Sequence, residues 1–477
     1  MVDSYEGGKV FEKNPLEEWM NTLFSSYLTD KFYENEDTQT TRFIELTNQI
    51  IVKYGASFAA KAAVFARKEL GMRSVSQLTA AILNEYQFEN KRHFFSQIVN
   101  RPDDVAEIFA AIEAFDDKRS HATVRGFSDY LSSLGDYHIG KYKMKGKQYN
   151  MFDLINITHA HSESIDKYKT ETLETPDTWE VKISTSDDKD QEWRRLVQEG
   201  KLGYFALIRN LNNILEAVDP TKTGQFDDSI VVDCLVPQIT NVDKIHKSLV
   251  FPYQIYNAYR NLKVRNFAVI AALDTAFRIA CDNMPEFAGK TAIVLDVSGS
   301  MDSTISPKSV ISLKETGACY AVAIWLKNPN VNIIKFGNYA KSANLNSLDN
   351  TFSCIEKLVA NDNCGFGTNI VPVYDDFLNY HFYDRIFLIS DMQIMNNYSS
   401  WYNYGNSGKT CFNKYCAKYG NNIHMYSFDL ANYHTQTDNP DNPHVHLMTS
   451  LTDKVVSMIP YVENGEKLFD LINSYSY

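Results

Sequence analysis

"TAIVLDVSGS", residues 291–300, is an apolar run that ends in an acid, two serines and a glycine. A short, uninterrupted apolar run closed by turn residues is the pattern of a strand buried on both faces. Three further runs share it: "VNIIKF" (331–336), "RIFLISD" (385–391) and "NIHMYSFDL" (422–430). Between them lie runs at helical spacing, "VISLKETGACYAVAIWL" (310–326), "IVPVYDDFLNY" (370–380) and "NKYCAKYG" (413–420). Strands alternating with helices make a doubly wound, Rossmann-like α/β domain with a parallel sheet. Ligands of such sheets sit at the carboxyl ends of the strands.

Moving toward the N-terminus, the texture changes at "CDNMPEFAGK" (281–290), which inserts Pro and Gly between two differently patterned regions. Before it, apolar residues recur at helical spacing: Phe43, Leu46 and Ile50; Ala59, Ala63, Ala66 and Leu70; Val105, Ile108, Phe109 and Ile112. Almost nothing there alternates as a strand would, and short helices with short connectors suggest an all-α repeat array. The Thr-, Asp- and Ser-rich segment 171–190 reads as a surface loop. The expected domains are a helical repeat module over 14–288 and an α/β domain over 289–477. A chain of 477 residues holds two or more domains at roughly 100 to 200 residues each.

Composition narrows the function. The net charge of -12 argues against a protein that coats nucleic acid with its whole surface. Seven cysteines, irregularly spaced, do not form a secreted disulfide framework. The first residues carry no basic stretch followed by an apolar one, and no window has the length of a membrane span. A cytoplasmic protein without a membrane partner is expected.

The chemistry concentrates after the first strand. Asp296, Ser298 and Ser300 alternate on an extended turn, so one carboxylate and two hydroxyls converge above the sheet. Asp391 closes another strand, and Thr368 stands on the glycine-bracketed loop "CGFGTNI" (364–370). Hard oxygen ligands of this kind suit a divalent ion, above all Mg²⁺. The bland alternative is a helix-capping turn, since Asp and Ser cap helices. The five positions together resemble the metal-ion-dependent adhesion site of von Willebrand factor A domains, D-x-S-x-S followed by a loop Thr and a later Asp. That resemblance implies a von Willebrand A fold whose ion binds an acidic group of a protein partner.

The helical half carries "EWRRLVQEGKLGYFALIRNLNNILE" (192–216), with a Trp near its start, then Gly-Lys-Leu and Leu-Ile-Arg-Asn-Leu. This segment resembles the signature of the TROVE module. "KSLVFPYQIYNAYRNL" (247–262), "KYKMKGKQYNMFDLINITHAHS" (141–162) and "MRSVSQLTAAIL" (72–83) agree with it. A helical module followed by a von Willebrand A domain is the order of Ro autoantigens. The resemblance implies a ring of HEAT-like repeats closed by the A domain. It also implies noncatalytic binding of small structured noncoding RNA, similar to Y RNA, and of single-stranded RNA ends, as a scaffold or chaperone in RNA quality control. Some relatives tether an exoribonuclease through the RNA.

The charges can be read without the family. Residues 118–147 hold Lys118, Arg119, Arg125, Lys141, Lys143, Lys145 and Lys147 against only Asp129 and Asp136. Residues 244–265 hold Lys244, Lys247, Arg260, Lys263 and Arg265 with no acid. Tyr137, Tyr142, Tyr149, Phe152, Tyr253, Tyr256 and Tyr259 lie among them. Concentrated cations and rings in an acidic background suit phosphate contact and base stacking; the competing reading packs the rings into the repeat core. By the Ro resemblance, His159 and the loop before it join the RNA surface. Arg209, inside an apolar helix, requires an acidic neighbour or a ligand.

Other signals are weak. Cys411, Cys416, His424, His444 and His446 are too scattered for structural zinc. No P-loop, HExxH, GxSxG or GxGxxG pattern stands in a supporting context, and the motif places no general base, so no enzyme is expected. The other function left open is a metal-dependent protein-interaction module for which the helical half is only a scaffold.

Overall fold

The computed structural model describes every residue except 1, 26–27, 29–33, 143, 145, 219–228, 305, 307–308, 396–406, 421, 449–455, 457–458 and 464–467. The strands are β1 (Val2–Asp3), β2 (Lys9–Glu12), β3 (Thr291–Asp296), β4 (Val331–Phe336), β5 (Ala340–Ala343), β6 (Arg385–Ser390), β7 (His424–Asp429), β8 (Thr435–Gln436) and β9 (Val445–Met448). Helices occupy the chain from Pro15 to Ala280 and alternate with the strands after it. Among the described residues, no helix is long and apolar enough to cross a membrane.

Contacts group the chain into two compact units. One comprises Met1–Lys13, Asp30–Glu34 and Lys182–Pro460; the other comprises Asn14–Thr29, Asn35–Val181 and Tyr461–Tyr477. Secondary structure changes character after position 288, as the sequence pattern does, but the units follow a different division. Helices between Lys189 and Ala280 belong to the same unit as the sheet.

In the second, helical unit the apolar stripes read from the sequence are buried. Phe43, Leu46 and Ile50 of the helix Glu36–Tyr54 are at most 6% exposed, and Ala59, Ala63 and Ala66 of Ala56–Lys68 are fully covered. Alanines on that second helix let its neighbours approach closely. Trp19 donates its indole N–H to Thr47 Oγ1 at 2.9 Å, which satisfies the one polar atom of a fully buried ring.

Beneath this unit's surface lies one charged knot. Asp104 is fully buried and accepts hydrogen bonds from Arg67 (2.7 Å), Arg73 (2.8 Å), Gln77 (2.8 Å) and the backbone N–H groups of Asn100 and Arg101. Burial alone would raise its pKa. The Arg67 guanidinium and the surrounding donors outweigh it and hold the carboxyl below its ordinary range.

The first unit is built on a six-stranded sheet in the order β5-β4-β3-β6-β7-β9, parallel except for the β4–β5 pair. Every residue of β3 and β6 is buried. Ala292, Val294, Ile386 and Leu388 pack with Val373, Tyr374, Phe412 and Tyr415 on one face. On the other face Leu295 and Ile389 meet the helix Leu313–Lys327 at Gly317, where a Cβ would stand 2.8 Å from both side chains. Helices therefore cover both sides, which is why these strands read as continuous apolar runs.

The N-terminal residues join this sheet unit. β2 pairs with β1 and β8 in a small antiparallel sheet. Ser4 Oγ donates to Ile394 O at 2.5 Å, Tyr5 N donates to Gln393 Oε1 at 3.0 Å and Gly8 N donates to Ile394 O at 3.0 Å. A Cβ on Gly8 would stand 2.2 Å from that same carbonyl oxygen. Lys13 then enters a fully covered ion pair with Asp429 at 2.7 Å.

Two stability predictions result. Asp104→Asn leaves Arg67 without its charge partner and is expected to cost about 3 kcal/mol in urea unfolding. Because the folded carboxyl titrates below its unfolded value of about 3.9, the wild-type advantage is full above about pH 4. It shrinks as pH falls through the folded value. Gly8→Val is expected to cost about 1–3 kcal/mol and to speed amide hydrogen exchange in residues 391–395; unchanged exchange there would show that the N-terminal segment does not brace that loop.

Candidate functional sites

The parallel register brings Asp296, Asp391 and Asp429 to the same end of three adjacent strands. Leu295 pairs with Ile389, and Ser390 pairs with Asp429. Asp296, Ser298, Ser300, Thr368 and Asp391 are all buried. Asp296 Oδ1 accepts the Ser298 N–H at 2.8 Å, its Oδ2 accepts the Ser390 hydroxyl at 2.6 Å, and the Ser298 and Ser300 hydroxyls are 3.4 Å apart. Backbone bonds tie the three loops together: Gly299 N donates to Phe366 O at 2.9 Å and Met395 N to Thr368 O at 3.0 Å. A Cβ on Gly367 would lie 2.7 Å from the Asn338 amide nitrogen and the Met395 sulfur, so a larger residue there would push those two side chains aside.

Burial dominates the electrostatics of this cluster, against hydrogen-bond donors and the charge of Lys314. Burial raises the pKa of Asp391 well above the carboxylate range, and the neighbouring Asp296 raises it further. Burial raises Asp296 as well, against the hydrogen bonds from Ser390 and Ser298. Thr368 Oγ1 and Asp391 Oδ2 are buried without a hydrogen-bond partner. Two buried carboxylates, one of them with an orphaned oxygen, two serine hydroxyls and the orphaned Thr368 hydroxyl make a donor set that fits a hard divalent cation. Among the described residues no group of three or more His, Cys, Asp or Glu is placed to hold a metal, so the fit rests on hydroxyls as much as on acids.

Sequence reasoning missed three residues here. Asp429 ends its strand as Asp296 and Asp391 end theirs, and the run "NIHMYSFDL" could have been read for it. Ser390 sits within its apolar run with no distinguishing signal. Lys13, remote in sequence, occupies Asp429 and so withdraws that carboxylate from the others.

The basic residues fall in different compact units, residues 118–159 in one and 244–265 in the other. In the first, Lys118, Arg125 and His159 are exposed, while Arg119 pairs with Glu113 (3.8 Å), Lys141 with Glu180 (3.1 Å) and Lys147 with Glu107 (3.3 Å). Lys143 and Lys145 lie outside the described residues. His159 ends the helix Met151–Thr158 in the left-handed conformation. Tyr149 is engaged by Arg119, whereas Tyr137 and Phe152 are about half exposed.

In the second segment Lys247, Lys263 and Arg265 are exposed and Lys244 is half-buried. Arg260 is tied to Glu315 at 2.6 Å and Tyr256 is buried against the same carboxylate. Tyr259 stacks on Phe352 at 4.0 Å, with the Arg265 guanidinium over its ring. Arg209, for which an acidic neighbour and a ligand were equally expected, is exposed, has no ion pair among the described residues, and lies over the Phe205 ring. It lines a cleft of about 320 Å³ with Gln254 and Asn257. Trp193 is core.

The scattered Cys and His residues do not converge as a set. The three imidazoles do cluster, with His424 Nδ1 2.9 Å from His446 Nε2. Burial, with His424 and His444 alongside, pushes His446 down to about 3. Cys411 and Cys416 are free thiols whose pKa burial raises.

Residues 146–270 match the TROVE domain family, a range that includes "EWRRLVQEGKLGYFALIRNLNNILE" and the second basic segment. Telomerase protein component 1 of Rattus norvegicus is 28% identical over 90 residues, 19% of this chain and 3% of that protein. Its counterpart in Mus musculus is 26% identical over 90 residues, with the same coverage. The chain thus spans a small fraction of the length of these relatives. Across nearly the whole chain the fold is that of the Ro (RSR) protein of Deinococcus radiodurans. The TM-score is 0.63 at 14% identity, covering 95% of this chain and 100% of that one. Residues 146–270 of the chain are thus similar to the TROVE domain, and its fold is similar to that of a Ro protein.

Proposed function

We propose that the protein binds RNA through its helical half, as a Ro-type scaffold or chaperone for small structured noncoding RNA and single-stranded RNA ends. The observation that carries this reading is the segment 244–265. It lies inside the TROVE match and has no acidic residue, and Lys247, Lys263 and Arg265 are exposed. Cations without carboxylates are free to take phosphates. The first segment supports the reading less directly, because Arg119, Lys141 and Lys147 are already paired. Those pairs are partly exposed, and pairs at the surface are worth only about 0–1 kcal/mol, so phosphate can displace the acids. On this reading the protein acts by binding.

The α/β domain is read as a von Willebrand A domain. Asp296, Ser298, Ser300, Thr368 and Asp391 would hold Mg²⁺, directly or through its waters. The ion would neutralise the two buried carboxylates and satisfy Thr368 Oγ1 and Asp391 Oδ2. This domain would serve structure or partner recruitment while the helical half holds RNA.

Lys244, Lys247, Lys263 and Arg265 replaced together by Gln are expected to weaken binding of a labelled small noncoding RNA at least about tenfold. They should also flatten the slope of log affinity against log salt. An unchanged slope would remove the segment from the interface. Asp296→Ala combined with Ser298→Ala is expected to abolish the rise in melting temperature that Mg²⁺ produces, with RNA affinity retained. Parallel loss of RNA affinity would show that the ion takes part in RNA recognition.

A further inference from the structure

The cleft beside Arg209 is formed between the helices Tyr204–Arg209 and Leu211–Ala217 on one side and Pro252–Arg260 on the other. Its walls are held by hydrogen bonds that involve no ligand. Asn212 Nδ2 donates to Asn261 O at 2.8 Å, and Asn212 Oδ1 accepts Lys263 N at 2.9 Å. Both ends of that amide are thus used to fix one wall against the other. The cleft is preformed, and its 320 Å³ lies near the lower end of small-ligand pockets, roughly 300–1,000 Å³.

What remains unspent in the cleft is a set of donors. Gln254 Oε1 accepts the Phe251 N–H at 2.8 Å and Asn257 Oδ1 accepts from Asn261 Nδ2 at 2.9 Å. Each of these amides therefore keeps its NH₂ group for another molecule. Arg209 adds a guanidinium that has no carboxylate beside it among the described residues, steadied over Phe205. No acidic residue among the described ones lines the cleft, and Phe205, Ile208 and Leu262 supply apolar surface. Donors around an apolar floor select a ligand that is rich in acceptors, anionic at one end and flat and apolar at the other.

The chain that leaves the cleft extends the same chemistry. Directly after Leu262 come the exposed cations Lys263 and Arg265, then Phe267, which is 89% exposed. A line of positive charge with an open aromatic ring is how single-stranded nucleic acid is held along its backbone and bases. A folded RNA helix offers no flat base to a closed cleft, whereas an unpaired nucleotide does.

We propose that this cleft is a subsite for one unpaired nucleotide of single-stranded RNA. Arg209 takes a phosphate, the NH₂ groups of Gln254 and Asn257 meet acceptors on the base, and the strand continues over Lys263, Arg265 and Phe267. The proposal rests on the RNA-binding reading above and adds to it the cleft and the residues that meet an unpaired nucleotide. An acidic peptide, which would offer carboxylates but no flat acceptor-bearing ring, is the competing ligand.

The test uses the full chain and a fluorescein-labelled, single-stranded oligoribonucleotide carrying 4-thiouridine. Arg209→Gln is expected to weaken binding about tenfold, the worth of one charge-assisted hydrogen-bonded contact, and to lower the salt slope by about 0.7. Arg209→Lys should restore the slope but only part of the affinity, since an ammonium keeps the charge and loses the planar fork. Asn257→Asp, which places a carboxylate in the cleft, should weaken binding as well. Photocrosslinks should fall on the peptides containing residues 205–212 or 254–267. If the wild type binds the oligoribonucleotide and Arg209→Gln binds it equally, with the same slope, the subsite is overturned while the RNA reading stands. Crosslinks confined to other peptides have the same meaning. If the wild type binds no RNA at all, the reading beneath it fails. If polyglutamate displaces the oligoribonucleotide from the wild type and binds with the same dependence on Arg209, the cleft is a peptide site.

Discussion

The parallel register of three buried strands is the constraint on which the cluster of buried carboxylates depends. Once β3, β6 and β7 pair in step, Asp296, Asp391 and Asp429 must emerge at one end, side by side and out of water. Burying carboxylates together is costly, and each is handled differently. Asp429 receives Lys13, Asp296 receives hydroxyl and backbone donors, and Asp391 keeps an oxygen with no partner. The unequal treatment marks the place where a cation would complete the site.

The N-terminal residues are part of that arrangement. Ser4, Tyr5 and Gly8 are bonded to residues 393 and 394, immediately after Asp391, and Lys13 enters the cluster from the same segment. The loop that carries Asp391 is thereby braced from outside by one backbone bond and two bonds that involve side chains. Precise ligand placement depends on such support around the site.

In the helical regions the division of labour is between packing and charge. Alanine-rich and aromatic stripes bury each helix against the next, and the polar faces are left to decide function. Their cations differ in kind. Asp104 consumes Arg67 and Arg73 inside the unit, Glu315 consumes Arg260, and acids on the surface shield Arg119, Lys141 and Lys147. Arg209, Lys263 and Arg265 stay exposed, with aromatic or amide neighbours. Count alone does not make a phosphate-binding surface; freedom from nearby carboxylates does.

Local pattern alone determined the α/β architecture, the positions of β3, β4, β6 and β7, and which oxygen-bearing residues follow them, but not the edge strands β5 and β9, of which β5 is antiparallel. Strand identity is written in contiguous apolar runs and motif geometry in short spacing, so both are properties of neighbouring residues. The helical character of residues before 285 was legible for the same reason. Only tertiary structure decided that Lys13 lies on Asp429, that Ser390 serves Asp296, and which basic residues are neutralised by acids. It also decided that Arg209 opens into a cleft instead of an ion pair, and that helices 189–280 join the sheet's unit. Each of these depends on residues brought together from distant parts of the chain, and the free energy of a charge is set by what finally surrounds it, which no local spacing encodes.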